Sequence, residues 1–114
     1  MIKFGQAILE WQGSYQWRIY KPMPYEIDGV AASVPAGFET NLASIPRIFW
    51  NILPPTGKYA KAAILHDWLY TGGKLPRQQC DVILREGMKA LGVETWKRHV
   101  MYYSVRLFGK SHYG

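Results

Sequence analysis

The pattern of apolar residues changes period once along this chain, near residue 42, and that switch constrains the fold more than any other feature. Before it, β-branched and aromatic residues fill short segments separated by turn chemistry. Ile2–Trp11 and Tyr15–Tyr20 read as strands around Gln12-Gly13-Ser14. Tyr25-Glu26-Ile27 and Val30–Val34 flank Asp28-Gly29, the strongest hairpin signal, because a type I′ turn needs positive φ that Asp tolerates and Gly adopts freely. Pro35-Ala36-Gly37 reads as a further turn.

After the switch the period is helical. Ser44 is suited to cap a short helix over Ile45–Leu53, with Pro46 in its first turn and Pro54-Pro55 ending it. A second helix is expected from about Lys58 to Tyr70, stopped by Gly72-Gly73. It is apolar almost all round, which predicts burial on most sides. A third is expected from Pro76 to Leu91, with Gly92 after it. A fourth runs from Glu94 to about Phe108, with Trp96, Val100, Tyr103, Ser104 and Leu107 on one face. Strands first and helices after give an α+β fold: antiparallel hairpins or a small sheet, then about four helices with a central antiparallel pair. The 114 residues are expected to form a single domain, with a β-rich part over 1–42 and a helical part over 43–110.

Composition narrows the class. Hydrophobic residues make up 48% and charged residues 19%, a globular balance. No apolar run approaches the roughly 18 residues of a transmembrane helix, and residues 1–10 lack the pattern of a signal peptide. The one cysteine, Cys80, excludes an internal disulfide. It reads as inert core more readily than as a nucleophile. With three scattered histidines it also excludes a paired zinc-ligand spacing. The net charge is +6, and residues 54–114 supply all of it, with ten bases against four acids. Lys97, Arg98, Arg106 and Lys110 interleave with Trp96, Tyr102, Tyr103 and Phe108. Such a mixture can meet anionic lipid or, less readily, single-stranded nucleic acid. The plainer expectation is that the aromatic stripe is core and the charges are its wet side. Met23–Tyr25 and the tryptophans are further candidates for a protein interface.

One constellation carries chemistry. His66 and Asp67 sit inside the apolar second helix, where a polar group needs a partner. Counting away from the turn near Gly73, His66 and Asp81 fall opposite each other in a helical hairpin. Tyr70 lies one turn from His66 on the same side. Gly87 fits close approach of the two helices. A histidine held by a buried carboxylate can act as a general base. Asp67, pointing elsewhere, offers oxygen to a hard cation. The same four residues can equally form a satisfied polar knot that fixes helix packing.

Two resemblances follow. The run Val34-Pro35-Ala36-Gly37-Phe38-Glu39-Thr40-Asn41-Leu42-Ala43-Ser44-Ile45-Pro46-Arg47 is followed by Leu53-Pro54-Pro55, Leu65-His66-Asp67-Trp68-Leu69-Tyr70 and Arg106-Leu107-Phe108-Gly109. Together these resemble the phage and prophage domain-of-unknown-function family number 1353, which has no established activity. Its usual pattern has Asp where this chain has Asn41: a role there as metal ligand or base would be weakened by the change, whereas a turn cap would be kept. That resemblance implies a bacteriophage or prophage origin and phage structural proteins as partners; with the single cysteine pointing to a reducing compartment, the expected place is the host cytoplasm or the virion. Locally, His66-Asp67-Trp68-Leu69-Tyr70 with Asp81 is similar to the catalytic helix pair of secreted phospholipases A2. That likeness implies His66 as base, Asp81 as its orienter, Tyr70 as support and Asp67 as a calcium ligand. Upstream, where that family has a Gly-rich calcium loop, this chain holds Pro46-Arg47-Ile48-Phe49-Trp50. Two functions are therefore expected in competition: a small phage hydrolase of the ester or phospholipid type, and a non-catalytic virion, tail or host-interaction component.

Overall fold

The computed structural model describes residues 2–13, 16–40, 59–110 and 113. Six strands precede three helices: β1 (Ile2–Phe4), β2 (Ile8–Gly13), β3 (Gln16–Lys21), β4 (Met23–Ile27), β5 (Val30–Val34), β6 (Glu39–Thr40), α1 (Ala60–Gly72), α2 (Arg77–Ala90) and α3 (Thr95–Phe108). The architecture is α+β, with antiparallel strands leading. The expected helix over 45–53, with its Ser44 cap, lies outside the described residues, as do Asn41 and Pro54-Pro55. The arrangement of about four helices around a central pair is not matched in that form. Among the described residues there are three helices, and α2 packs against both α1 and α3.

The strands form two three-stranded antiparallel sheets, ordered β1-β4-β5 and β2-β3-β6. The β4–β5 hairpin turns where its chemistry dictates. Asp28 and Gly29 have φ of 48° and 85°, the two positive values of a type I′ turn, and Ile27 pairs with Val30 across it. At Pro35-Ala36-Gly37 the chain turns again, with Gly37 at φ 89° and the Phe38 N–H donating to the Pro35 carbonyl.

The expected first strand, Ile2–Trp11, is in fact two. It breaks at Gly5, whose N–H donates to the Pro24 carbonyl at 2.7 Å. A Cβ there would lie 2.9 Å from the Pro24 ring. This close approach lets the chain leave one sheet and enter the other.

Two apolar clusters hold the layers together. Ile2, Ile19, Met23 and Val34 of the strands pack on Ile64, Leu65 and Ile83. Tyr59, Ala62, Ala63, Leu84, Met88, Val93, Met101 and Val105 fill the space between the helices. Met23 is fully buried, so it belongs to the core and offers nothing to a partner. α1 is buried on most sides, as its composition predicts; even His66 is enclosed. Gly87 of α2 sits where a Cβ would meet Ala62 Cβ at 3.2 Å and the Phe4 ring at 3.1 Å. The glycine thus permits close approach of the two helices.

The third helix corrects an expectation. Its core face is Met101, Ser104 and Val105. Trp96, Tyr103 and Leu107 are exposed. Of the expected face Ser104 is buried and Val100 half-buried, so the core lies beside the aromatic stripe rather than under it.

Candidate functional site

Asp81 organises the interior. It lies in the second turn of α2, fully buried, and its two carboxylate oxygens gather one group from each neighbouring helix and one more from α1. Oδ1 lies 2.7 Å from His66 Nε2 and accepts the Tyr70 hydroxyl at 2.5 Å. Oδ2 accepts Arg106 Nη1 from α3 at 2.9 Å. His66 to Tyr70 is one turn of α1, so both reach the same oxygen, and their rings lie 4.0 Å apart at a tilt of 44°. Contacts of Ala62 with Gly87 and of His66 with Asp81 run in reverse chain order, so α1 and α2 are antiparallel, as the turn-centred count requires.

The electrostatics follow from these partners. Burial pushes the Asp81 carboxyl up, but hydrogen bonds from His66, Tyr70 and Arg106 outweigh it and hold the group below its ordinary value. The Tyr70 hydroxyl is raised well above its usual range, by burial first and then by the Asp81 charge. Cys80, also buried, is pushed up to about 11 by desolvation and by Asp81. A thiol in that state is a poor nucleophile, consistent with its reading as inert core.

Around this centre a second layer closes the end of α3. Arg77 Nη2 donates to the carbonyls of Val105 at 2.8 Å and Arg106 at 2.5 Å, satisfying acceptors of the last turn. Gly109 follows, and a Cβ there would sit 2.9 Å from the Tyr70 hydroxyl. Tyr113 stacks edge-on against Tyr70 at 5.4 Å and donates to the carbonyl of Leu75.

The structure therefore brings together three of the four expected residues: His66, Tyr70 and Asp81. Asp67 points out of the group and is half-buried; its backbone carbonyl accepts the Thr71 hydroxyl at 2.9 Å. Among the described residues no set of three or more His, Cys, Asp or Glu side chains is placed to hold a metal ion. Trp68, the next residue of the motif, packs edge-on against Phe38 at 5.2 Å and ties α1 to the strand layer.

Arg106 is the member that sequence reasoning missed. It was grouped with the basic surface of the last helix, whereas its guanidinium reaches inward to the buried acid. The available signal was the run Arg106-Leu107-Phe108-Gly109, whose first and last residues both serve the Asp81–Tyr70 contact. One atom of the cluster stands out. His66 Nδ1 is buried and has no hydrogen-bond partner among the described residues. With Nε2 committed to Asp81, it is the ring nitrogen left over.

No helix among the described residues is long and apolar enough to cross a membrane. No solved structure matches this chain. It is 34% identical over 84 residues to an uncharacterized protein, y4jT, of Sinorhizobium fredii, an alignment that covers 72% of this chain and 25% of that one. The chain thus spans about a quarter of that relative's length. A family match covers residues 17–105, a stretch that contains His66, Tyr70 and Asp81 and ends one residue before Arg106. The chain belongs to the family described as protein of unknown function, DUF1353.

Proposed function

We propose that this chain is a non-catalytic phage component, a virion, tail or host-interaction module, in which His66, Tyr70, Asp81 and Arg106 form a structural knot. The observation that carries the reading is burial: His66 and Asp81 are both 0% exposed. A general base must come within hydrogen-bond reach of the proton it removes, and a sealed imidazole offers no path for a substrate. What the cluster does instead is tie α1, α2 and α3 at one point. A buried charge is tolerated only when paired and hydrogen-bonded, and Asp81 has three donors. The phage assignment rests on the spaced motifs quoted above.

A second reading has one observation in its favour, the unpartnered Nδ1 of His66. A carboxylate behind one ring nitrogen and a bare lone pair at the other is the arrangement of a general base. In that reading the protein is a phage hydrolase of ester or phospholipid type. His66 Nδ1 would take a proton from water, Asp81 would orient the ring and stabilise the imidazolium, and Tyr70 would brace Asp81. Asp67 would be its candidate ligand for a cation.

The two are separated by His66→Ala and Asp81→Asn, each assayed for urea stability and for hydrolysis of short-chain esters and phospholipid vesicles. The knot predicts large losses of stability and no hydrolysis by the wild-type chain. Ester or lipid turnover by the wild type, lost in a His66→Ala protein that still folds, would overturn it in favour of the hydrolase.

A further inference from the structure

Helix α3 carries an apolar stripe that is exposed among the described residues. Trp96, Tyr103 and Leu107 are 52%, 61% and 73% exposed, and Val100 between them is half-buried. They stand four, three and four residues apart, the a/d alternation of a coiled-coil seam over two heptads. Packing of Met101, Ser104 and Val105 on the core fixes the helix so that this stripe faces outward. Phe108 is also exposed and extends the apolar surface at the end of the helix.

The surroundings of the stripe are basic. From Thr95 to Phe108 the helix contains no Asp or Glu; it carries Lys97, Arg98 and His99, while Arg106 is turned inward to Asp81. Arg85 of α2 lies over the Tyr102 ring at 4.5 Å, and Lys110 follows the helix. Two acids adjoin these bases: Glu94 pairs with Lys97 at 3.3 Å and accepts the Trp96 indole N–H at 3.1 Å, and Glu86 lies 3.8 Å from Arg85. Trp, Tyr and Arg are the residues that most often anchor interfaces, and here they are grouped on one rigid element.

We propose that the Trp96–Val100–Tyr103–Leu107 stripe of α3 is a docking surface for an acidic amphipathic helix of another protein. Charge complementarity selects the occupant. A second copy of α3 would set bases against bases, an arrangement that costs free energy across a seam. A lipid surface would meet a broad apolar face, whereas a strict a/d stripe is the narrow seam that another helix fills. Leucines of the incoming helix would fill the spaces between Trp96, Tyr103 and Leu107, and its flanking carboxylates would face the bases. The proposal is independent of whether the His66 cluster is structural or catalytic.

The test uses the whole chain, labelled with ¹⁵N, and reads the Trp96 indole N–H, identified by its loss in Trp96→Phe. The probe is a synthetic helix of about three heptads with Leu at a and d and Glu at e and g. The controls are the same peptide with Lys at e and g, and phosphatidylglycerol–phosphatidylcholine vesicles. A saturable shift with the acidic peptide that weakens as salt is raised is expected. Tyr103→Ser combined with Leu107→Ser should weaken binding about tenfold or more, with an unchanged melting temperature because both side chains are exposed. No shift, or an equal response to the basic peptide, overturns the proposal. So does a response to vesicles alone, which would mark a membrane surface. A concentration-dependent shift without peptide, with a doubled mass in solution, would mark a second copy and overturn it too.

Discussion

At the scale of single residues, Asp81 is the point on which the interior depends. Removing one partner of a buried ion pair leaves the other charge without compensation, a loss of about 3–5 kcal/mol. Asp81→Ala and His66→Ala are expected to fall in that range by urea denaturation. Arg106→Gln should cost less, about 1.5–3 kcal/mol for a hydrogen bond to a charged group, because its side chain is half exposed and water can replace part of the contact. If the three contacts form one network, the His66→Ala, Arg106→Gln double variant will lose less than the two single losses added together.

The acid response has a defined sign. The folded Asp81 carboxyl lies below its ordinary value of 3.8. Its ionised form therefore adds stability that is whole above that value and disappears as pH falls through the lower, folded value. Wild-type stability should drop on acidification below about pH 4, and Asp81→Asn should show a shallower drop. Parallel acid profiles for the two proteins would contradict the role given to the carboxylate.

At the scale of elements, local chemistry was legible and orientation was not. Asp28-Gly29 announced its turn because the positive φ values it requires are a property of those two residues alone. Gly29→Val should cost about 1 kcal/mol or more through backbone strain, since its Cβ would meet open space and no clash is involved. The ends of α1, α2 and α3 fall within about two residues of expectation, because Gly and Pro stop helices by rules that ignore tertiary context. The break in Ile2–Trp11 was hidden because it depends on Gly5 meeting Pro24, a contact between distant residues. The face of α3 was hidden for the same reason: the stripe Trp96–Leu107 and the stripe Met101–Val105 are both apolar, and only the position of α2 decides which is covered. Gly87 tests the closeness of that packing. Ala62 Cβ is fixed to a helix and cannot yield, so Gly87→Val should destabilise by about 1–3 kcal/mol, read from the shift in urea midpoint.

At the scale of the molecule, the strand layers and the helical layer meet through the cluster of Ile2, Ile19, Met23 and Val34 on Ile64, Leu65 and Ile83, while the Asp81 knot pins the helices from within. Class and element order were readable because the switch from turn-punctuated strands to helical periods survives any packing. Of the candidate site, His66, Tyr70 and Asp81 were readable because two helices joined by a short turn constrain which residues face each other. Arg106 was not, because α3 is a separate element whose docking no local pattern specifies. A cation role for Asp67 is not legible from the motif alone, because a cation needs several ligands to converge and convergence is a property of the whole fold.

The central claim is that His66 is sealed within a structural knot. Acylation of the native protein by diethylpyrocarbonate, followed by mass-spectrometric mapping, tests it with His99 as the internal standard, since that side chain is exposed. The account predicts that His99 reacts rapidly while His66 reacts only as fast as the protein unfolds. Comparable rates for His66 and His99 below the unfolding transition would contradict it, because an imidazole that a small electrophile reaches in the folded state is one that a substrate can reach as well.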